Sequence, residues 1–115
     1  MSLAIRMLAE PLRSLGFAAI SPVYMGVGNG FSNPSRILYV QNLTDKLLYF
    51  SFDGVDDHFT LPALGYILLD VTTNQTTSQA FFISQGQRIY VRSLAGPGIP
   101  TAGIVSVSTF YGANA

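Results

Sequence analysis

From residue 36 onward the sequence repeats one pattern, in which short apolar segments alternate with turn-forming residues at intervals of about ten residues. The segments are too short for typical helices, and they contain the aromatic and β-branched side chains that favour strands. They include RILYVQN, KLLYFSF, YILLDV, AFFIS, GQRIYVRSL and IVSVSTFYG. We count about seven strands, which predicts an all-β protein with the architecture of an antiparallel β-sandwich.

The segment GQRIYVRSL alternates most clearly, and this alternation predicts that Ile89 and Val91 face the core. Arg88, Tyr90 and Arg92 then form a basic aromatic stripe on the opposite face. Two guanidinium groups could bind a carboxylate-rich partner through paired hydrogen bonds, so these residues are candidates for subunit contact. The alternative is an ordinary solvated face.

The first 24 residues precede the strand series and are predicted to form an arm, with the sandwich domain spanning residues 25–115. Apolar residues near helical spacing, with a proline among them, make the arm extended or partly helical. The arm either lies on another subunit or packs on its own domain. We expect a protein lacking residues 1–15 to fold but to attach less well. The candidate contact residues of the arm are Leu3, Met7, Leu8, Leu12 and Leu15.

The segment DGVDDH, residues 53–58, contains three of the six acids and the single histidine of the chain. Three nearby carboxylates raise the question of a cation site, but the spacing lacks the alternate ligands and closing glutamate of an EF-hand. The prediction is a structural turn in which Gly54 has a positive φ and Asp53 accepts hydrogen bonds from the backbone ahead. Replacing Asp56 and Asp57 together is expected to leave folding nearly intact.

Charged residues make up 10% of the chain, basic and acidic groups cancel, and there is no cysteine. Without a Lys/Arg cluster, nucleic acid is not an expected partner. No apolar stretch is long enough to predict a membrane-spanning helix. The glycine-rich segment MGVGNGFSNPS lacks the lysine and the following helix of a phosphate-binding loop. No GxSxG elbow or nucleophile constellation is recognisable, so we expect neither enzymatic activity nor a cofactor.

The elements SLGFAAIS, NPSRI, RILYVQNLTD, YFSFDGVDDHFTL, ILLDVTTNQ, FFISQGQRIYVR and SVSTFYG, taken in order over residues 15–112, resemble a group of small virion proteins of tailed bacteriophages. The resemblance implies a jelly-roll-like sandwich that serves as a capsid decoration, or cement, protein. It implies the major capsid protein as partner, self-association with neighbouring copies, and a position on the outer surface of the capsid after synthesis in the host cytoplasm. It transfers no active-site residue.

Two alternatives remain open at this point. The first is a head–tail connector or tail component, which differs from a decoration protein in copy number. The second is a carbohydrate-binding module for host attachment, although the chain has no tryptophan to provide a strong stacking platform for a sugar.

Overall fold

The computed structural model describes residues 5–70 and 83–114 of the chain. In this part the protein is all-β, with two antiparallel sheets packed together and no α-helix, which confirms the predicted fold class. Two short 3-10 turns occur at Phe17–Ala19 and Gly96–Gly98. The strands are β1 (Ile5–Ala9), β2 (Arg13–Gly16), β3 (Met25–Gly26), β4 (Ile37–Thr44), β5 (Leu48–Ser51), β6 (Phe59–Leu61), β7 (Tyr66–Asp70), β8 (Tyr90–Ser93) and β9 (Gly103–Asn114).

Sheet A has five strands in the order β1–β9–β4–β7, with β2 also paired to β9. Sheet B has four strands in the order β3–β8–β5–β6. The long strand β9 therefore has β1 and β2 along one edge and β4 along the other. Among the described strands, consecutive strands share a sheet only in the pairs β1–β2 and β5–β6. Each of the remaining six connections leads from one sheet to the other.

The core lies between the two sheets. It is built from the inward side chains of the strands, which alternate along each strand with outward ones. In sheet A, Leu38 and Val40 of β4 are fully buried, and in sheet B the rings of Phe50 and Phe59 stack with centroids 5.1 Å apart. Each such side chain contributes roughly 1.5–3 kcal/mol by its burial. The predicted inward direction of Ile89 and Val91 is confirmed, since both are completely buried.

The N-terminal residues are extended rather than helical over the described range, because the edge of β9 supplies backbone partners for them. Ala9 lies opposite Phe110 and Arg13 lies opposite Val107, so residues 10–12 face only residues 108 and 109. This extra residue makes a β-bulge, and Pro11, which has no N–H to donate, lies within it. The expected arm thus carries two strands of sheet A.

The candidate contact residues of the arm fall in different environments. Leu15 packs against the core, and Leu8 is half-buried. Met7 and Leu12 are exposed, whereas Leu3 lies outside the described residues. Three of the five residues of the predicted strand AFFIS also lie outside that range, and of the two described ones Ile83 forms an isolated bridge with Ser35.

Candidate functional site

The acidic turn between β5 and β6 has the predicted local structure. Gly54 has a φ of 76°, a value that favours glycine. Asp53 Oδ1 accepts hydrogen bonds from the backbone N–H groups of Val55 at 2.8 Å and Asp56 at 2.9 Å. These two bonds, followed by one from Ser51, lower the pKa of Asp53 to about 2. The ionised carboxylate of Asp53 therefore stabilises the turn through these hydrogen bonds.

The turn also brings Ser51 and His58 together, but their hydrogen bonds belong to the turn. Ser51 Oγ donates to Asp53 Oδ1 at 2.7 Å and accepts from the N–H groups of Asp53 and Gly54. His58 Nδ1 accepts from the Phe52 N–H at 3.0 Å. A nucleophilic serine would instead donate its proton to the histidine. The arrangement fixes the loop and does not activate the hydroxyl.

Asp53, Asp56 and His58 place ligand atoms within 4.8 Å of one another, and all three residues are exposed. They could approach a small cation from one side. Calcium takes six to eight oxygen ligands, whereas this group offers two carboxylates and an imidazole. Asp53 is already committed to the backbone of the turn, so we retain the structural interpretation of the turn as a prediction.

Asp57 points away from that group and binds Arg92 on sheet B. The guanidinium donates from Nε to Oδ1 at 3.1 Å and from Nη2 to Oδ2 at 2.8 Å. The Tyr24 hydroxyl donates to the same carboxylate. The hydrogen bond from Arg92 lowers the pKa of Asp57. The pKa of Tyr24 is raised to about 12, first by burial and then by the hydrogen bond to Asp57. Asp57 therefore fastens the turn to the sheet.

The stripe of Arg88, Tyr90 and Arg92 lies on the outer face of sheet B, as the alternation predicts, but its charges have partners within the chain. Arg92 lies over the ring of Tyr49 with its Cζ atom 4.4 Å from the centroid. Arg88 lies 5.4 Å from the Tyr90 ring centroid and donates from Nε to the Gly28 carbonyl at 2.6 Å. The stripe offers a carboxylate-rich partner less free charge than the sequence suggests.

The outer face of sheet A, which the sequence analysis did not single out, exposes several large apolar side chains. Tyr66 and Leu68 of edge strand β7 are 64% and 55% exposed, and Tyr39 of β4 meets Tyr66 edge-to-face with centroids 5.6 Å apart. Among the outward residues of the described strands of sheet A, Asp70 at the end of β7 is the only charged one. We define the apolar face as Met7, Ile37, Tyr39, Leu43, Tyr66, Leu68, Ile104 and Phe110.

An open depression of about 390 Å³ lies at one end of the apolar face. It is lined by Leu43, Thr44, Asp45, Ala63, Leu64, Ala102 and Gly103. Leu64 has a φ of 63°, a conformation in which a non-glycine residue is strained. The depression extends the apolar face at the end of the sandwich because Leu43 belongs to both surfaces.

Comparison with known proteins gives no relative: no family model, curated protein or solved structure matches this chain. Over the described residues, no helix is long and apolar enough to cross a membrane.

Proposed function

We propose that the protein is a structural component of the virion of a tailed bacteriophage, a decoration protein that stabilises the head shell by bridging neighbouring subunits of the major capsid protein. The observation that carries this proposal is the apolar face, in which tyrosine and aliphatic side chains stand where charged residues are usual. Contiguous apolar surface gains free energy when it is covered. A protein with such a face, in a chain with 10% charged residues, acts through contact area.

The finer fold assignment within this proposal is a jelly roll. If β1 and β2 are taken as one interrupted strand, each sheet has the same number of strand positions, and most connections cross between the sheets. These features support the paired Greek keys of a jelly roll, a fold used by viral capsid domains. Analogy with other proteins of this fold supports a role in the virion but does not specify which role.

The N-terminal arm, residues 1–24, contributes part of the contact surface in this proposal. Met7 is an exposed member of the apolar face, and Leu12 is exposed at the bulge between β1 and β2. Leu15 packs against the core of its own domain and is therefore not available to a neighbour. The arm thus combines a role in sheet A with a few apolar contacts outside it.

The contacts on sheet B favour a structural role over a catalytic or sugar-binding one. The turn that carries the acids and the histidine uses Ser51 and Asp53 to hold its own backbone. The rings of Tyr49 and Tyr90 have arginine side chains over them. A sugar would have to displace these arginines to stack on either ring.

Cement proteins act by repetition. A contribution of about 1–3 kcal/mol per copy beyond the cost of association is enough when many copies bridge a closed lattice, because each bridge must be broken before the shell opens. A moderate apolar face on a small domain fits this regime.

The test is to purify the particles of a phage whose genome encodes this chain, count the copies of the chain by quantitative mass spectrometry and locate it by cryo-electron microscopy. We expect hundreds of copies on the outer shell, and heads lacking the protein should release their DNA at a lower temperature. Six or twelve copies at one vertex would replace the proposal with a connector role. Absence of the chain from purified particles would overturn the virion assignment.

A further inference from the structure

We propose that the apolar face binds a second copy of this chain, face to face, in a two-fold symmetric dimer. The inference rests on the proposed function and names the first partner of the contact surface described there.

The absence of charge from the centre of the face selects its partner. Charged residues make up about 25% of a typical globular domain, and a charge buried against an apolar surface loses its hydration without gaining a partner. Of the outward residues on the described strands of sheet A, Asp70 alone is charged, and it lies at the end of β7. A second copy presents an equally uncharged surface, so a two-fold contact between the two faces desolvates no central charge.

The size of the face also suits a dimer. With strands ~4.8 Å apart and ~3.3 Å per residue, four strand positions and the eight-residue pairing of β4 with β9 cover on the order of 500 Å² in projection. Side-chain relief brings this closer to the roughly 800 Å² per partner of a standard interface. Two such sheets pack about 10 Å apart with their strands nearly aligned. We therefore expect a dimer of moderate affinity.

The polar groups on the face suit an interface between proteins. Tyrosine is enriched at interfaces because its ring supplies area and its hydroxyl finds a partner. Tyr39 and Tyr66 support each other edge-to-face. Ser106 Oγ donates to Gln41 Oε1 at 3.1 Å, so the serine hydroxyl and the glutamine carbonyl oxygen are already paired within the sheet. Covering the face leaves this hydrogen bond intact.

The experiment is sedimentation equilibrium of the full chain from low to high micromolar concentration. We expect a monomer–dimer equilibrium that changes less than threefold between low and high salt, because no charges meet. Leu68→Lys and Tyr66→Lys should each weaken dimerisation at least tenfold. Val55→Lys is the matched control, since Val55 is also apolar and is 78% exposed, but lies in the turn beside sheet B. This variant should dimerise like the wild type.

Hydrogen–deuterium exchange of the unmodified protein gives a readout that does not depend on any variant folding. Peptides from β4, β7 and β9 should exchange more slowly at high than at low concentration, and peptides from β5 and β8 should not. A monomer at every concentration, or a dimer that both lysine variants leave intact, overturns the inference. Either result leaves the virion proposal standing, because that proposal depends on whether the chain is found in particles.

Discussion

Glu10 and Arg13 form an ion pair of 2.7 Å within the bulge between β1 and β2, with only 3% of the Glu10 side chain and 10% of the Arg13 side chain exposed. The Glu10 carboxylate also accepts hydrogen bonds from the Asn33 backbone at 2.9 Å and side chain at 3.0 Å. Arg13 donates to the carbonyls of Asn29 at 2.8 Å and Gly30 at 3.1 Å. The pair therefore fastens the glycine-rich loop before β4 to the N-terminal strands.

Replacing Glu10 with glutamine should lower the free energy of unfolding by about 3–5 kcal/mol, because it leaves the Arg13 guanidinium buried without its counter-charge. The measurement is urea unfolding at neutral pH. The double variant Glu10→Gln/Arg13→Gln should lose less than the sum of the two single losses. Losses that add would show that the two residues act independently.

The same pair should make stability depend on acid. Burial raises the pKa of Glu10, but hydrogen bonds from Arg13, Asn33 and Ser32 outweigh it, and the net pKa is lowered. A carboxyl whose folded pKa is lowered stabilises the protein above its unfolded pKa of 4.5, and this contribution is lost as the pH falls through the folded value. Urea midpoints measured from neutral pH down to pH 3 should therefore fall less steeply for Glu10→Gln than for the wild type. Parallel curves would contradict this role of Glu10.

The alternation of Ile89 and Val91 with Arg88 and Arg92 was readable from the sequence because only one face of β8 is apolar. In β7 the inward Leu69 and the outward Leu68 are both apolar, so alternation could not distinguish them. Large apolar residues on the outward side of an antiparallel strand favour a covered surface, and Tyr66 and Leu68 give YILLDV this feature.

The ion pair of Glu10 with Arg13 lay beyond sequence reasoning for a different reason. Its charges are close in sequence, but their hydrogen-bond partners are in the loop that ends near Asn33. Glu10 follows Leu8 on the inner side of β1, but only the bulge brings Arg13 to the same side, opposite the buried Val107, and a bulge depends on the register with β9. The pairing of Asp57 with Arg92, which is 35 residues away, likewise depends on the packing of a turn against a sheet.

Gly103, the first residue of β9, should tolerate replacement poorly. It has a φ of 98°, and a Cβ atom there would lie 2.0 Å from the carbonyl oxygen of Leu43, which is backbone and cannot move aside. Gly103→Ala should lower the free energy of unfolding by about 2–4 kcal/mol. Gly16→Ala is the control, since a Cβ at Gly16 meets nothing within 4 Å. Equal effects in thermal unfolding would mean that β9 can shift its start.

The acids of the turn should differ in importance, although the sequence predicts that Asp56 and Asp57 can be replaced together. Asp57 binds Arg92 through two hydrogen bonds, whereas Asp56 is exposed and only its backbone N–H bonds to Asp53. Asp57→Asn should therefore lower the melting temperature more than Asp56→Asn, which should leave it nearly unchanged.

Calcium gives the turn a second, independent test. Millimolar calcium should not change the melting temperature of either the wild type or the Asp56→Asn variant. A rise in the wild type that Asp56→Asn abolishes would replace the structural interpretation with a metal site formed by Asp53, Asp56 and His58.

Deleting residues 1–15 tests whether the N-terminal arm contacts other subunits or is required for the folding of its own domain. The sequence predicts a folded remainder, but the pairing of β1 and β2 with β9 leads us to expect loss of folding. The deletion removes the buried Glu10–Arg13 pair and Leu15, and it leaves an edge of β9 without backbone partners. Circular dichroism and thermal unfolding provide the measurement, and deletion of residues 1–4, ahead of β1, is the control. If the protein lacking residues 1–15 unfolds cooperatively, the arm is dispensable for the domain. Fewer of its copies should then remain on the particle after mild heating.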